Sequence, residues 1–339
     1  MTTTLLLYYD HYLKLNKKWR SNGIVSLLTG VINIIGTAPN YLYGHDARSG
    51  YTINYPVQRG LVSDFPNMER YWSDCSYNKL RLMPNEALAI ISECTGNTPS
   101  KRLQKAKYFF DTLKVQKPTF VNQQVAALYA TGRNTGVVVD IGGHSIHIVP
   151  IKDGYIITNG VETLYYGGRD ITNYLFKLIN EKQPNSVTTT LQIDDVRVGK
   201  EKNCKVAPDS VTAAASNGLS GSITLSNGNK QIYVGELFLP SAIINSVESS
   251  VSVHRQSLLN NIVLAGGSSN FPGLAARLKT AITVAYRPGA VFSIIAKLPQ
   301  FKTKLFSSQE RNSTKMVKQL KIILTELNLI LMMDDEAFC

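Results

Sequence analysis

Two glycine-rich turns, one of them following a carboxylate, are the parts of this sequence best able to do chemistry. Val137-Val138-Val139-Asp140 reads as a continuous apolar strand ending in an acid, Gly142-Gly143 as a tight turn, and Ser145 to Pro150 as the returning strand. Glycines in such a turn let backbone N–H groups approach phosphate oxygens with no side chain in between. A carboxylate at the strand end can hold the waters of a Mg²⁺ bound to those phosphates, so Asp140 is a metal-facing candidate through water. Leu264-Ala265-Gly266-Gly267-Ser268 then leads into a second helix start, where N-terminal amides favour an anion or a nucleotide edge. Each element also has an ordinary reading, the first as a β-hairpin and the second as a loop. Their separation, one in each half of a segment of alternating strands and helices, joins them into one candidate nucleotide site.

The elements that must position these turns are legible from periodicity. Asn67 to Leu80 has helical spacing at Met68, Tyr71, Trp72 and Cys75, and Ala87 to Ser92 reads as a short buried strand. Pro99 opens a basic helix running to about Leu113, with Leu103, Ala106, Phe109, Phe110 and Leu113 as its apolar face. Asn122 to Ala130 is a further short helix. After Gly167-Gly168 a helix runs from Arg169 to Leu178, with Ile171, Tyr174, Leu175 and Leu178 on one face. A helix around Ile193 to Lys202 follows, then a hairpin from Ile223 to Val234 that turns at Asn227-Gly228. Leu258 to Ala265 reads as a buried strand and Pro272 to Ile282 as a helix. Strands and helices alternating around glycine-rich turns predict an α/β fold.

Composition narrows the class. The chain has 339 residues, 44% of them hydrophobic, enough for two packed cores. Its net charge of +12 suits a partner with an acidic face. Cys75, Cys94, Cys204 and Cys339 are far apart with no CxxC, and no histidines stand at metal-ligand spacing. Buried reduced thiols are expected rather than a disulfide framework or a structural metal. No stretch has the length and apolarity of a membrane span, and Met1 to Leu7 lacks the basic flank of a signal peptide. A soluble intracellular protein is expected.

The block Gln124-Val125-Ala126-Ala127-Leu128-Tyr129-Ala130-Thr131-Gly132-Arg133-Asn134-Thr135-Gly136, continued through Pro150, resembles actin and the actin-related proteins closely. So do Gly168-Arg169-Asp170-Ile171-Thr172-Asn173-Tyr174-Leu175, Thr188-Thr189-Thr190 and Lys200-Glu201-Lys202-Asn203-Cys204. Asn261-Ile262-Val263-Leu264-Ala265-Gly266-Gly267, Phe271-Pro272-Gly273 and, upstream, Tyr55-Pro56, Gly60-Leu61-Val62 and Met68-Glu69 follow the same order. The resemblance spans residues 40 to 310 or thereabouts and implies the two-domain ATPase fold shared with sugar kinases and heat-shock chaperones. It implies an outer domain of residues 1–130 plus 284–339 and an inner domain of residues 131–283. Carried over by position, Asp140, Gly142 and Gly143 belong to a phosphate hairpin, and Gln123 and His147 would position an attacking water. Gly168 would lie near the nucleotide, with Arg197, Lys200 and Glu201 near the adenosine. Gly266, Gly267, Ser268 and Phe271 would complete the base pocket. Read without the resemblance, Gln123 and His147 are a packed helix residue and a strand residue.

The departures from the family's pattern bear on function. Its first phosphate loop is a strand, a carboxylate, a Gly-Ser-Gly-type turn and a returning strand with a lysine. Here Asp10 is followed by His11 and Tyr12, with no glycine until Gly23. In the second hairpin the family's acidic residue is Gly143 and its next glycine is His144. Segments after Leu239 and between Ile282 and Arg287 are shorter than in the family, and the basic residue expected over the adenine is missing. A triphosphate is held by two opposed loops whose amides and cation share its charge, so removing one takes away half of that field. The expectation is a divergent actin-related protein acting as a non-filament structural or interaction subunit of a cytoskeletal or chromatin-remodelling assembly. ATP or ADP with Mg²⁺ would bind weakly or not at all, with little hydrolysis. The alternative is an ATP-binding, polymerising actin-like protein of the cytoskeleton. Partners are expected to be proteins, with nucleic acid reached only indirectly and no membrane, in the cytoplasm and cytoskeleton or in the nucleus. The outer sheet is expected to lack its first hairpin and to expose an edge.

Residues 299–331 are basic and then apolar, and Met316, Leu320, Ile323, Leu327 and Ile330 repeat at spacings of four and three along one helical seam. Lys315, Lys318 and Lys321 flank it. Deleting residues 312–339 is expected to lower the melting temperature if the seam packs on its own domain, or to abolish partner capture if it docks elsewhere. Unchanged melting and unchanged pull-downs together would rule out both roles.

Overall fold

The computed structural model describes residues 3–8, 24–29, 34–35, 42–43, 55–79, 83–86, 88–182, 184, 187–188, 190–206, 222–225, 228–231, 239–286 and 291–296. The C-terminal seam from Met316 to Ile330, with the rest of 312–339 including Cys339, lies outside the described residues.

The first half is built on one four-stranded sheet. β1 (Thr3–Tyr8) pairs antiparallel with β2 (Ile24–Thr29). Two small ribbons follow, β3 (Ile34–Ile35) with β4 (Leu42–Tyr43), and β5 (Val57–Gln58) with β6 (Leu61–Val62). Helix α1 (Phe65–Asp74) comes next, then β7 (Leu88–Glu93), α2 (Pro99–Lys107) and β8 (Lys117–Asn122). The sheet order is β2-β1-β7-β8, with β7 and β8 parallel and β1 antiparallel to β7. α1 starts where it does because the Asp64 side chain accepts from Asn67 N at 3.1 Å and Pro66 follows in the first turn. Its buried face of Phe65, Met68, Tyr71 and Trp72 meets Ala89 and Ile91 of the sheet in one core.

Helix α3 (Gln123–Tyr129) carries the chain into the second half. Asn122 caps it, its Oδ1 accepting from Gln124 N at 2.9 Å and Val125 N at 3.2 Å. Next come β9 (Gly136–Ile141), β10 (Ile146–Lys152), β11 (Tyr155–Ile156), β12 (Glu162–Leu164), α4 (Gly168–Lys182) and α5 (Thr190–Asn203). The ribbon β13 (Ser222–Leu225) and β14 (Gly228–Gln231) precedes α6 (Leu239–Glu248) and α7 (Ser252–Leu259). β15 (Ile262–Ala265), α8 (Leu274–Ala285) and β16 (Ile294–Ile295) complete the described elements. The second sheet has the order β11-β10-β9-β15-β16, with β12 beside β10. β9 and β15 are parallel and buried on both faces, as a continuous apolar run such as Val137-Val138-Val139 requires. One face packs on α4 to α8 and the other on Val125, Leu128 and Tyr129 of α3.

Several expectations change. The first sheet does not end at β7, because β1 covers that edge with Leu5 opposite Ile91 and Tyr8 opposite Leu88. The strand pair at the N-terminus therefore exists, although its connection, residues 9–23, lies outside the described residues. Ile294–Ile295 was expected in the outer domain but pairs with Ile262 and Val263 of the second sheet, and α3 packs there too. A short apolar segment next to an already buried parallel strand extends that sheet at little extra ordering cost. Leu258 and Leu259 end a helix rather than open a strand, and Gly228 pairs with Leu225 inside its strand rather than forming the turn. Tyr174 points outward at 53% exposure, while Leu175 and Ile179 fill the core.

A π-helical turn at Tyr108–Thr112 follows α2 and rotates the chain away from regular helical phase. Leu103 and Phe110, expected on the buried face, are exposed at 56% and 51%, and Tyr108, Phe109 and Leu113 are buried. Phe109 lies 5.1 Å from the Trp72 ring and 5.7 Å from that of Tyr108. Phe109→Ala should destabilise the protein by about 3–5 kcal/mol in urea unfolding, and Phe110→Ala by less than about 0.5 kcal/mol. Equal losses would mean that the two rings are equally buried.

Candidate functional site

The site lies where the ends of the two sheets meet. β9 ends at Asp140, opposite Ala265 in the parallel register with β15, so the turn after Ala265 must pass beside the carboxylate. It does so only because Gly266 has φ of +83°, and a Cβ there would stand 2.6 Å from Asp140 Oδ1. The linking helix α3 delivers two amides to the same acid. Gln123 Nε2 donates to Asp140 Oδ2 at 3.0 Å and Gln124 Nε2 donates to the same oxygen at 2.9 Å. Gln124 is fully buried, and its Oε1 accepts from the Thr95 hydroxyl at 2.8 Å just beyond β7. Asn122 Nδ2 donates to Thr95 Oγ1 at 2.9 Å.

His147, one strand over and paired with Asp140, is buried. Its Nε2 lies 2.9 Å from Ser145 Oγ and 3.2 Å from Cys94 Sγ, and its Nδ1 lies 3.3 Å from Thr163 Oγ1. Burial lowers its pKa below the ordinary imidazole value against the opposing pull of Asp140. Burial also pushes the Cys94 thiol up to about 12, with the Asp140 charge adding to the effect. The pair is therefore a neutral thiol beside a neutral ring, which is the opposite of an activated nucleophile.

The hairpin glycines are enclosed by neighbouring backbone. Gly142 N donates to Ser145 O at 3.0 Å, Gly168 N donates to Gly142 O at 2.9 Å, and Arg169 N donates to Gly143 O at 2.7 Å. Ser268 Oγ donates to Gly142 O at 3.4 Å, and a Cβ on Gly168 would collide with that hydroxyl. Lys200 is buried, with Nζ donating to Gly168 O at 2.6 Å and Thr172 Oγ1 at 2.9 Å, 6.0 Å from the Phe271 ring. Its burial lowers the ammonium pKa, with the Glu201 charge opposing. Glu201 is bonded to Arg197 at 2.9 and 3.0 Å along the surface of α5. Gly267 is exposed, with open space where a side chain would stand.

The residues expected around a nucleotide thus gather in two groups. Gln123, Asp140 and His147 form one, and Gly142, Gly143, Gly168, Lys200, Ser268 and Phe271 form the other. Gly266 joins the two, while Arg197 and Glu201 pair with each other. A Mg²⁺-triphosphate needs backbone N–H groups and carboxylate oxygens directed into open space. Here Gly142 and Gly143 present carbonyl oxygens to Gly168 and Arg169, and Asp140 Oδ2 already accepts two amides. Among the described residues no group of three or more His, Cys, Asp or Glu side chains is arranged to hold a metal ion. In this arrangement one Asp140 oxygen and both hairpin carbonyls are engaged within the chain. β1 ends at Tyr8 opposite Leu88, at the start of β7, whereas the site lies beyond the end of β7 at Glu93.

Two sheets joined by one short helix, with glycine turns and a strand-end carboxylate at their meeting point, define the class of two-domain actin-fold proteins. The family described as Actin matches residues 33–217 and 225–308. This chain belongs to the actin family.

Thr95, Cys94, Asn122, Gln124 and Thr172 were not singled out as site residues from the sequence. The doubled Gln123-Gln124 at a helix start was the one visible signal, and it does not reveal that Gln124 spans two elements. Cys94 offers a test of the buried geometry. Its thiol pKa is raised on folding, so its contribution is complete below the ordinary value of 9.0 and is lost as pH climbs toward about 12. Relative to Cys94→Ala, the wild type should lose stability across that window by up to about 1.4 kcal/mol per pH unit. Parallel curves in denaturant titrations at increasing pH would mean that the thiol is not held in a buried site.

Proposed function

We propose that this actin-family protein works as a structural or interaction subunit, of a cytoskeletal or a chromatin-remodelling assembly, and turns over little or no ATP. The observation that carries this reading is the state of Asp140, whose Oδ2 accepts from the amides of both Gln123 and Gln124. Gln123 and His147, the residues that would hold an attacking water, are engaged with Asp140, Cys94, Ser145 and Thr163 instead. Support also comes from the absence of a glycine turn after Asp10 and from Gly143 standing where the family has an acid. A net charge of +12 favours a protein partner with an acidic face. Among the described residues no helix is long and apolar enough to cross a membrane. Work in the cytoplasm and cytoskeleton, or in the nucleus, follows from the two kinds of assembly.

Losing one phosphate loop, its lysine and one carboxylate removes several charge-assisted hydrogen bonds, each worth roughly 1.5–3 kcal/mol. Two such losses weaken binding by about a hundredfold or more. Calorimetric titration should therefore find Mg-ATP and Mg-ADP weak and nearly equal, with Asp140→Ala changing little. Hydrolysis should stay at background, because an unheld γ-phosphate gives Gln123 and His147 no fixed target. Tight binding with a clear preference for ATP, abolished by Asp140→Ala, would instead establish the ATP-binding, polymerising reading.

A further inference from the structure

The two halves of the molecule have separate hydrophobic cores. The buried apolar cluster of the first half runs from Val57 to Val115, and those of the second half lie between Val125 and Ile282. No buried cluster among the described residues joins them, and polar seams between such units ordinarily permit relative motion. Among the described residues, polar side chains fasten the seam at the sheet ends. Gln124 receives the Thr95 hydroxyl of the first half and gives its amide to Asp140 of the second, with its side chain fully buried. Beside it, Cys94 of the first half meets His147 of the second at 3.2 Å. At the other side of the seam, Arg169 lies 4.3 Å from the Tyr55 ring and Arg59 lies 5.1 Å from that of Tyr165. Both arginines of these outer contacts are exposed and such pairs are of modest strength, whereas a buried amide released from both partners would leave a carboxylate oxygen and a hydroxyl less well satisfied.

We infer that Gln124 is a latch that holds the cleft between the two halves shut, bridging Thr95 and Asp140. The inference concerns opening of the cleft and stands independently of whether any nucleotide binds. Opening would expose Cys94, which lies on the first half directly behind the latch. Cys75 and Cys204 are buried within the first and second cores respectively and provide internal references. Opening of the seam alone should leave both protected, whereas global unfolding exposes all three.

The test is the rate of iodoacetamide alkylation at each thiol of the full chain, followed by peptide mass spectrometry under native conditions. In Gln124→Ala, Cys94 should react about tenfold faster or more than in the wild type, with Cys75 and Cys204 unchanged. Thr95→Val, which keeps the side-chain volume and removes the hydroxyl's bonds to Gln124 and Asn122, should give a smaller acceleration confined to Cys94. It carries the test alone if the first variant does not fold. Acceleration of all three thiols together would make Gln124 a general stabilising residue and overturn the latch. An unchanged Cys94 rate in folded variants would overturn it as well.

Discussion

The parallel pairing of β9 with β15 is the constraint from which the site follows. Val137, Val138 and Val139 are fully buried and have neighbours on both edges and both faces, so the strand has no freedom to slip. A shift of one residue would turn every side chain to the opposite face. With that register fixed, Asp140 must stand opposite Ala265, and the chain beyond Ala265 must bend around a carboxylate. Only a residue without a Cβ can make that bend, and Gly266 makes it. The remaining site residues are placed by what this pair leaves accessible at its end.

An acid at the end of such a buried strand must find partners. In an open cleft, water or a hydrated cation can supply them. In this protein the helix that links the halves begins at that point with two glutamines, and their amides meet the requirement from within the chain. The hairpin carbonyls, Lys200 and Ser268 show the same tendency, each directed at another group of the protein. Polar groups arranged for an external ligand and polar groups arranged for one another can be the same residue types in the same order. What differs is whether each oxygen and each N–H already has its partner.

The glutamines also couple two units that do not share a core. Apolar contact is diffuse and tolerates sliding, whereas a buried amide with a donor on one side and an acceptor on the other has a narrow geometry. Among the described residues, the connection between the halves includes such directional bonds. The neutral state of Cys94 and His147 follows from the same enclosure, since burial disfavours the charged form of each.

Much of this protein was legible in its sequence. The apolar run into Asp140, the glycine pairs at 142–143 and 266–267, and the ordered blocks from Gln124 to Phe271 gave the α/β class and the family. Periodicity placed most helices and strands, because burial on one or both faces leaves a pattern in residue types. The tertiary structure decided what depends on distant neighbours. It exposed Phe110 and buried Phe109, side by side in a π-helical turn that no local spacing announces. It laid β1 against β7 and Ile294–Ile295 against β15, since edge pairing is set by which edge is available and not by the strand's own sequence. It also placed Thr95 and Asp140 on either side of Gln124, three residues with no shared motif. A hydrogen-bond partner is chosen by position in space, and residue type alone shows only that some partner is needed.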